Sequence, residues 1–354
     1  MKQLHGINTL EELEYLLSLD ISKIRFNYSL MDIKKTDIIL SYIKRFNMSS
    51  FKFFLKYNNF FKLIKDSFRF LFYKKINRDN IFYEKYDNLF QPVVYEKNLT
   101  LEELILTYKE NLSDIKLVYE ILSDNQSKEL YISLICSRIQ KKVTKLFQLS
   151  SFNQYFDDLV LIHSNSVRTF IDVGSFDGSS SIEAVSWFPK LKRIFLFDPN
   201  KESLNVSKKN LTKIGTKLKL KFLELGLSNE ESVLKFYDYG SGSSLNVGKY
   251  SNLSNKSFEV KVTKLDNLKL DLDSLVYLKL DVEGNELSAL QGSKSMIRHH
   301  KPLIAVCVYH KVNDLWEIPN WINKLGLNYS FYLRHYSAHT LSETVLYCIP
   351  KSKK

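Results

Sequence analysis

The chain has 354 residues, 44% of them hydrophobic, and its 51 Lys and Arg against 39 Asp and Glu give a net charge of +12. That length and apolar content fit about two domains with a real core and exclude a disordered chain. No apolar run approaches the ~18 residues of a membrane span, and Glu11, Glu12 and Glu14 interrupt any secretory leader, so the chain is expected in the cytoplasm.

Cys136, Cys307 and Cys348 show no paired spacing, and two of them lie in apolar runs, which suits reduced core thiols. The positive charge is uneven: from Ser41 to Asn80, ten Lys and Arg face only Asp66 and Asp79. Thr9 with Glu12 three residues on is a capping-box pattern and opens a helix to Leu19. From Ser50 to Lys75, Phe53, Tyr57, Phe60, Phe61, Ile64, Phe68 and Phe72 share one helical face, with Lys52, Lys56, Lys62, Lys65 and Arg69 opposite. Such a helix packs on the rest of the protein, or lies through 51–75 on the inner face of an anionic membrane. No nucleic-acid motif accompanies it, so no nucleic acid is expected as partner.

Residues 96–152 read as helical, for example Leu101, Leu104, Ile105 and Tyr108, then Ile115, Val118, Tyr119 and Leu122. The expected organisation is a basic extension over 1–95, this helical segment, and a catalytic domain over 153–354. From Thr169 onward, strands are expected at 169–173, 193–198, 219–225, 275–281, 302–309, 328–334 and 343–349, and helices near 179–188, 200–212, 284–298 and 314–325. An additional strand pair, 232–238 and 258–265, flanks a G-S-G-S-S loop at Gly240–Ser244, where Ser243 and Ser244 are lid or plain turn residues. The fold class is α/β: a doubly wound, mostly parallel seven-stranded sheet with a closing hairpin and a helical N-terminal extension.

The stretch T-F-I-D-V-G-S-F-D-G-S-S-S, Thr169 to Ser181, is a strand, a tight turn and a helix start. Gly174 and Gly178 let backbone approach a ligand, and the helix start offers unpaired N–H groups. Ser175, Phe176 and Asp177 line the same turn. Asp198, followed by Pro199, ends the second strand where doubly wound folds hold a ribose diol. The NAD pattern G-x-G-x-x-G is not met, and Asp172 and Asp177 beside the turn oppose a diphosphate while suiting a sulfonium. These residues favour S-adenosylmethionine over NAD. Phe176 and Trp316 read mainly as core, with Phe176 also placed to lie against a cofactor.

The segments F-I-D-V-G-S-F-D-G (Phe170–Gly178), F-D-P (Phe197–Pro199), V-T-K-L-D-N-L (Val262–Leu268), L-K-L-D-V-E-G-N-E (Leu278–Glu286), V-Y-H-K (Val308–Lys311), D-L-W-E-I-P (Asp314–Pro319) and E-T-V-L-Y (Glu343–Tyr347) resemble the FkbM-type family of S-adenosylmethionine-dependent O-methyltransferases, which have the class I Rossmann-like fold. The resemblance covers about Leu101 to Pro350. It departs at Asp198, where the family usually has Glu, at Ser175 for Ala, and at Cys307, where many members carry an acid.

The resemblance implies methyl transfer to a hydroxyl, with a sugar of a bacterial surface glycan, such as capsule or lipopolysaccharide, or its precursor as acceptor. Ligands of such sheets bind at the carboxyl ends of the strands. There His310 has the pKa range of a general base, Asp281 orients cofactor or acceptor, and Glu283 is catalytic or, like Glu286, solvated or capping. Arg334, His335 and Glu343 on the closing hairpin are candidate acceptor contacts, with Arg334 suited to an anion. Asp281, Glu283 and His310 include metal-ligating types, but nothing in their spacing demands a metal and none is expected. The rival readings are a non-catalytic adaptor that binds a membrane or a glycosyltransferase, and an NAD-dependent sugar-modifying enzyme.

Overall fold

The computed structural model describes residues 9–18, 99–140, 146, 149–215, 217–237, 257–272, 275–337 and 340–351. These all fall in one compact unit, Gly6–Ile24 with Pro92–Lys354. The expectations for 50–75 and for Gly240–Ser244 lie outside the described residues.

Helix α1 is Leu10–Ser18. Three helices follow: α2 (Leu101–Glu110), α3 (Leu112–Ile121) and α4 (Asn125–Gln140). Helix α2 begins where it does because Thr100 and Glu103 form a reciprocal capping box, Oγ1 accepting from the Glu103 N–H at 3.2 Å and the Thr100 N–H reaching Oε2 at 2.7 Å. Helix α5 (Asp158–Leu161) is capped by Asp157.

The sheet comprises β1 (Thr169–Val173), β2 (Arg193–Phe197), β3 (Lys219–Leu223), β7 (Val276–Leu280), β8 (Leu303–Cys307), β9 (Tyr329–His335) and β10 (Thr344–Pro350). Its order is β3-β2-β1-β7-β8-β10-β9, with β10 antiparallel to both neighbours and the rest parallel. Between the strands run α6 (Ser179–Trp187), α7 (Lys201–Lys213), α8 (Glu286–Gln291), α9 (Lys294–His300) and α10 (Asp314–Asn323). Chain order reverses between β1 and β7, and that switch point opens a crevice at the carboxyl ends of both strands.

A second sheet, β4-β6-β5, contains β4 (Gly226–Leu227), β5 (Ser232–Tyr237) and β6 (Ser257–Thr263). The two-residue β4 is too short to leave a periodic signal in the sequence. The helix expected over 284–298 is two helices, because the backbone at Gly292 runs so close to Ser228 that a Cβ would sit 1.9 Å from its carbonyl oxygen. Asp266 then caps α9, accepting from the Ser295 and Met296 N–H groups at 2.8 and 2.9 Å.

The main core lies under β1. Phe156 is fully buried, its ring 5.8–6.3 Å from those of Phe170, Phe188 and Tyr277. The helical segment is fastened to the far edge of the sheet. Leu122 bridges Phe331, Ser150 bridges His335, and Arg334 pairs with Asp124 at 2.6 Å. All three cysteines are buried.

Candidate active site

The turn after β1 is fixed from both sides. Gly174 has φ +78°, and a Cβ there would lie 1.8 Å from the Asp281 carbonyl oxygen, so only glycine lets the tips of β1 and β7 meet. The Gly174 and Ser175 N–H groups donate to the Phe197 carbonyl at 2.9 and 3.0 Å, which ties the turn to β2. Asp177 accepts from the Ser179 N–H at 3.0 Å, and its carbonyl accepts from Asn210 Nδ2 at 3.0 Å.

Asp198 faces this turn from the tip of β2. Its two oxygens accept from the Phe176 N–H at 2.9 Å and the Asn200 N–H at 2.8 Å, which orients the carboxylate and leaves lone pairs for a diol. Burial pushes its pKa up to about 6, against the lowering effect of those N–H bonds and of Lys279. Phe176 is half exposed with φ +46°, so the core reading of this residue does not hold, whereas Trp316 is fully buried. Among the described residues, the buried Ser175 hydroxyl has no hydrogen-bond partner. Such an orphaned polar atom beside an oriented carboxylate suits a ligand with polar groups at both ends.

Asp172 needs correction as a ligand group. It is fully buried, accepts from Ser180 and Ser181 Oγ at 2.6 and 2.7 Å, and pairs with Lys279 Nζ at 3.1 Å. Lys279 is its direct register partner on β7 and also donates to the Gly174 carbonyl at 2.7 Å. Asp172 therefore shapes the turn from beneath, and its charge is neutralised before it can act on a phosphate. A lysine in an otherwise apolar strand requires a buried acid nearby, and that was the signal available for Lys279 in the sequence.

At the carboxyl ends of β7 and β8 the structure brings Asp281, Glu283, Glu286 and His310 together. His310 is fully buried, its Nδ1 2.9 Å from Glu286 Oε1 and its Nε2 3.2 Å from Glu283 and 3.6 Å from Asp281. Burial works to lower its pKa, but Glu286, Glu283 and Asp281 outweigh it and hold the pKa well above the usual histidine range. A carboxylate oxygen near each ring nitrogen favours the imidazolium form, which speaks against His310 as the resting proton acceptor expected of it. Glu286 is neither solvated nor merely capping: it is buried, accepts from the Val282 and Gly284 N–H groups at 2.8 and 3.1 Å, and sets the imidazole's orientation.

Asp281 accepts from the Tyr155 hydroxyl at 2.7 Å and lies 3.4 Å from that of Tyr309. Burial pushes its pKa up, but Lys279 and His310 prevail and keep it low. Tyr155 and Gln154 come from the segment before β1, in the N-Q-Y-F stretch that shares the family resemblance, but no local pattern marks them as site residues. Their backbone is fixed by Tyr347, whose hydroxyl accepts the Tyr155 N–H at 3.0 Å, and by Tyr277, whose hydroxyl donates to the Tyr155 carbonyl. Gln154 Nε2 joins Glu343 Oε2 at 2.5 Å to the Tyr155 hydroxyl at 3.1 Å.

Glu343 thus belongs to the site; burial raises its pKa first, and Asp281 next. Arg334 and His335 do not reach outward. Arg334 is buried against Asp124, and His335 lies between Thr344 Oγ1 and the Thr340 carbonyl, burial lowering its pKa to about 4. Tyr155, Phe176, Glu283 and Glu343 all have φ between +46° and +68°, a strained state for non-glycine residues that concentrates at functional sites.

Residues 172–331 match the family model of the methyltransferase FkbM domain. Over these residues the chain is similar to an FkbM-type methyltransferase domain. Methyl transfer from S-adenosylmethionine is the chemistry of such a domain, and the Asp198 carboxylate and the Ser175 hydroxyl fit that cofactor's ribose and polar ends. Among solved structures, methyltransferase FkbM from Methylobacillus flagellatus KT is similar at 19% identity and TM-score 0.56, over 69% of this chain and 60% of that one. The chain thus spans about three-fifths of that relative's length. An rRNA methylase from Streptococcus thermophilus matches at 10% identity and TM-score 0.36, over 55% and 94% of the two chains. A proposed methyltransferase from Streptococcus mutans in complex with SAH matches at 10% identity and TM-score 0.35, over 56% and 98%. No curated protein matches the chain.

Proposed function

We propose that this FkbM-type domain is an S-adenosylmethionine-dependent O-methyltransferase acting on a sugar hydroxyl of a bacterial surface glycan or its precursor. The observation that carries the reading is the placement of Asp281, Glu283, Glu343 and His310 at the strand ends directly beside the Gly174 turn. This is a hydrogen-bonding wall for a polyhydroxyl acceptor next to the cofactor crevice.

S-adenosylmethionine supplies an electrophilic methyl on a sulfonium and leaves as the neutral thioether. With so good a leaving group, the protein's main task is to align the acceptor oxygen and exclude water. Asp198 would hold the cofactor's ribose diol, and the Ser175 hydroxyl would meet another of its polar groups. Asp281, held by Tyr155, receives the hydroxyl proton as oxygen takes the methyl, because both nitrogens of His310 already face carboxylates. The His310 charge keeps Glu283 and Glu286 in place. The domain division at 95 and 152, a cytoplasmic location and inner-face membrane contact through 51–75 are parts of the same proposal. No helix among the described residues is long and apolar enough to cross a membrane.

Calorimetric titration with S-adenosylhomocysteine, with NAD as control, tests the cofactor. Micromolar binding that Asp198→Ala reduces at least ten-fold is expected. A preference for NAD would displace the methyltransferase reading with the dehydrogenase one, and binding of neither would favour the adaptor. Tritium transfer from the methyl donor to a panel of sugars then tests the acceptor class.

A further inference from the structure

Helix α4 is buried on every side from Leu130 to Ile139, and the one charged residue in that stretch is Arg138, only 4% exposed. A buried guanidinium is ordinarily met by a carboxylate and bonded through its N–H groups. Here the Arg138 Nη1 donates to the Val312 carbonyl at 3.3 Å, and among the described residues its Nε has no partner. Asp114 is the acid whose charge is felt nearby, at Tyr131. Its carboxylate accepts from Asn320 Nδ2 at 3.2 Å and makes no ion pair with Arg138.

Three more polar atoms end in the same neighbourhood. The Tyr108 hydroxyl from α2, the Tyr131 hydroxyl from α4 and the Trp316 indole nitrogen from α10 are buried, and among the described residues none has a hydrogen-bond partner. All three residues are at most 1% exposed. The Tyr108 and Trp316 rings lie 5.9 Å apart, edge to face, and Arg138 acts on both phenols. It stands close to the Tyr108 hydroxyl without aligning in a hydrogen bond. Burial outweighs Arg138 and raises both phenol pKa values, so neither tyrosine supplies a phenolate as counter-charge.

Arg138 Nε and Trp316 Nε1 can only donate, and a phenol hydroxyl donates as readily as it accepts. Buried polar atoms are as a rule partnered, so four without partners on three helices mark an occupant. A water accepts two such bonds but leaves the guanidinium charge uncompensated in a medium of low dielectric. A small anion satisfies both the donors and the charge. We propose that Arg138, Tyr108, Tyr131 and Trp316 form a buried site for a small inorganic anion, of the size and charge of chloride, that locks α2, α4 and α10 together. Arg138 also holds the carbonyl of Val312, two residues after His310, so the lock extends to the loop behind the candidate active site. The site lies outside the crevice and stands independently of the methyltransferase reading.

The test uses the full chain, purified in gluconate salt and titrated with sodium chloride at constant ionic strength. The melting temperature is expected to rise by about 3 °C or more and to saturate. Arg138→Met is expected to abolish the rise. Tyr131→Phe, which removes one donor and keeps the ring, is expected to move half-saturation to about ten-fold more chloride while melting stays cooperative. If Arg138→Met does not fold, Tyr131→Phe carries the test. Crystals soaked in bromide are expected to show an anomalous peak within hydrogen-bond reach of Arg138 Nε and Trp316 Nε1. A water there without anomalous signal, equal melting temperatures in chloride and gluconate, or a chloride effect unchanged in the variants would each overturn the site.

Discussion

Asp198 shows how a binding role and stability oppose each other in one side chain. Burial raises its pKa to about 6, so the ionised form opposes folding above that pH by roughly 3 kcal/mol, and the penalty fades as pH falls through 6. Asp198→Asn is therefore expected to flatten the change of melting temperature with pH around 6 while weakening S-adenosylhomocysteine binding at least ten-fold, read by calorimetry on the same samples. In the wild type, affinity for the same ligand is expected to drop as pH falls below about 6, because a protonated carboxyl loses an acceptor for the diol. The turn residues and this carboxylate were legible in the sequence because glycine spacing and strand-end position leave local marks. Tyr155 was not, since its place beside Asp281 depends on Tyr277 and Tyr347, 122 and 192 residues away.

At the scale of elements, the pair β1 and β7 holds the site together through one buried ion pair. Lys279 lies 3.1 Å from Asp172, with 3% and 0% of their side chains exposed. Removing one partner leaves the other charge buried, so Lys279→Met is expected to cost about 3–5 kcal/mol in urea denaturation. Asp172→Asn in the same chain should restore most of that stability, the signature of direct coupling. Burial lowers the Lys279 pKa, but Asp172 and Asp281 more than offset this and raise it, so the pair persists across neutral pH. Register across β1 and β7 decides this pairing, and the two residues are far apart in the chain. The break at Gly292 has the same origin: its cause is Ser228, on another loop.

For the whole molecule, the helices before β1 and the sheet are one structure within the described residues. Asp124 and Ser127 on the α4 side bind Arg334, and Phe156 fills the core under β1. Burial pushes the Asp124 pKa up, but Arg334 and Ser127 prevail and lower it, so this contact stabilises above the ordinary carboxylate range and weakens in acid. Arg334→Met is expected to lower the hydrogen-exchange protection of α4 by roughly ten-fold or more, with little change in β1. Equal loss in both would mean that the clamp stabilises the fold globally instead.

Apart from β4 and the helix break at Gly292, the sequence by itself determined the order and type of the elements after Thr169, and with them the Gly-rich turn, Asp198 and the family resemblance. Each depends on local periodicity, turn chemistry or strand-end position, which neighbouring residues encode. Only the tertiary structure decided which charges are available. Asp172 is neutralised by Lys279, His310 is held as a cation by Glu286 and Glu283, Arg334 is turned to Asp124, and Glu343 is drawn to Asp281 through Gln154 and Tyr155. The reason is physical: a side chain's charge and availability are set by burial and by partners that folding brings from distant positions.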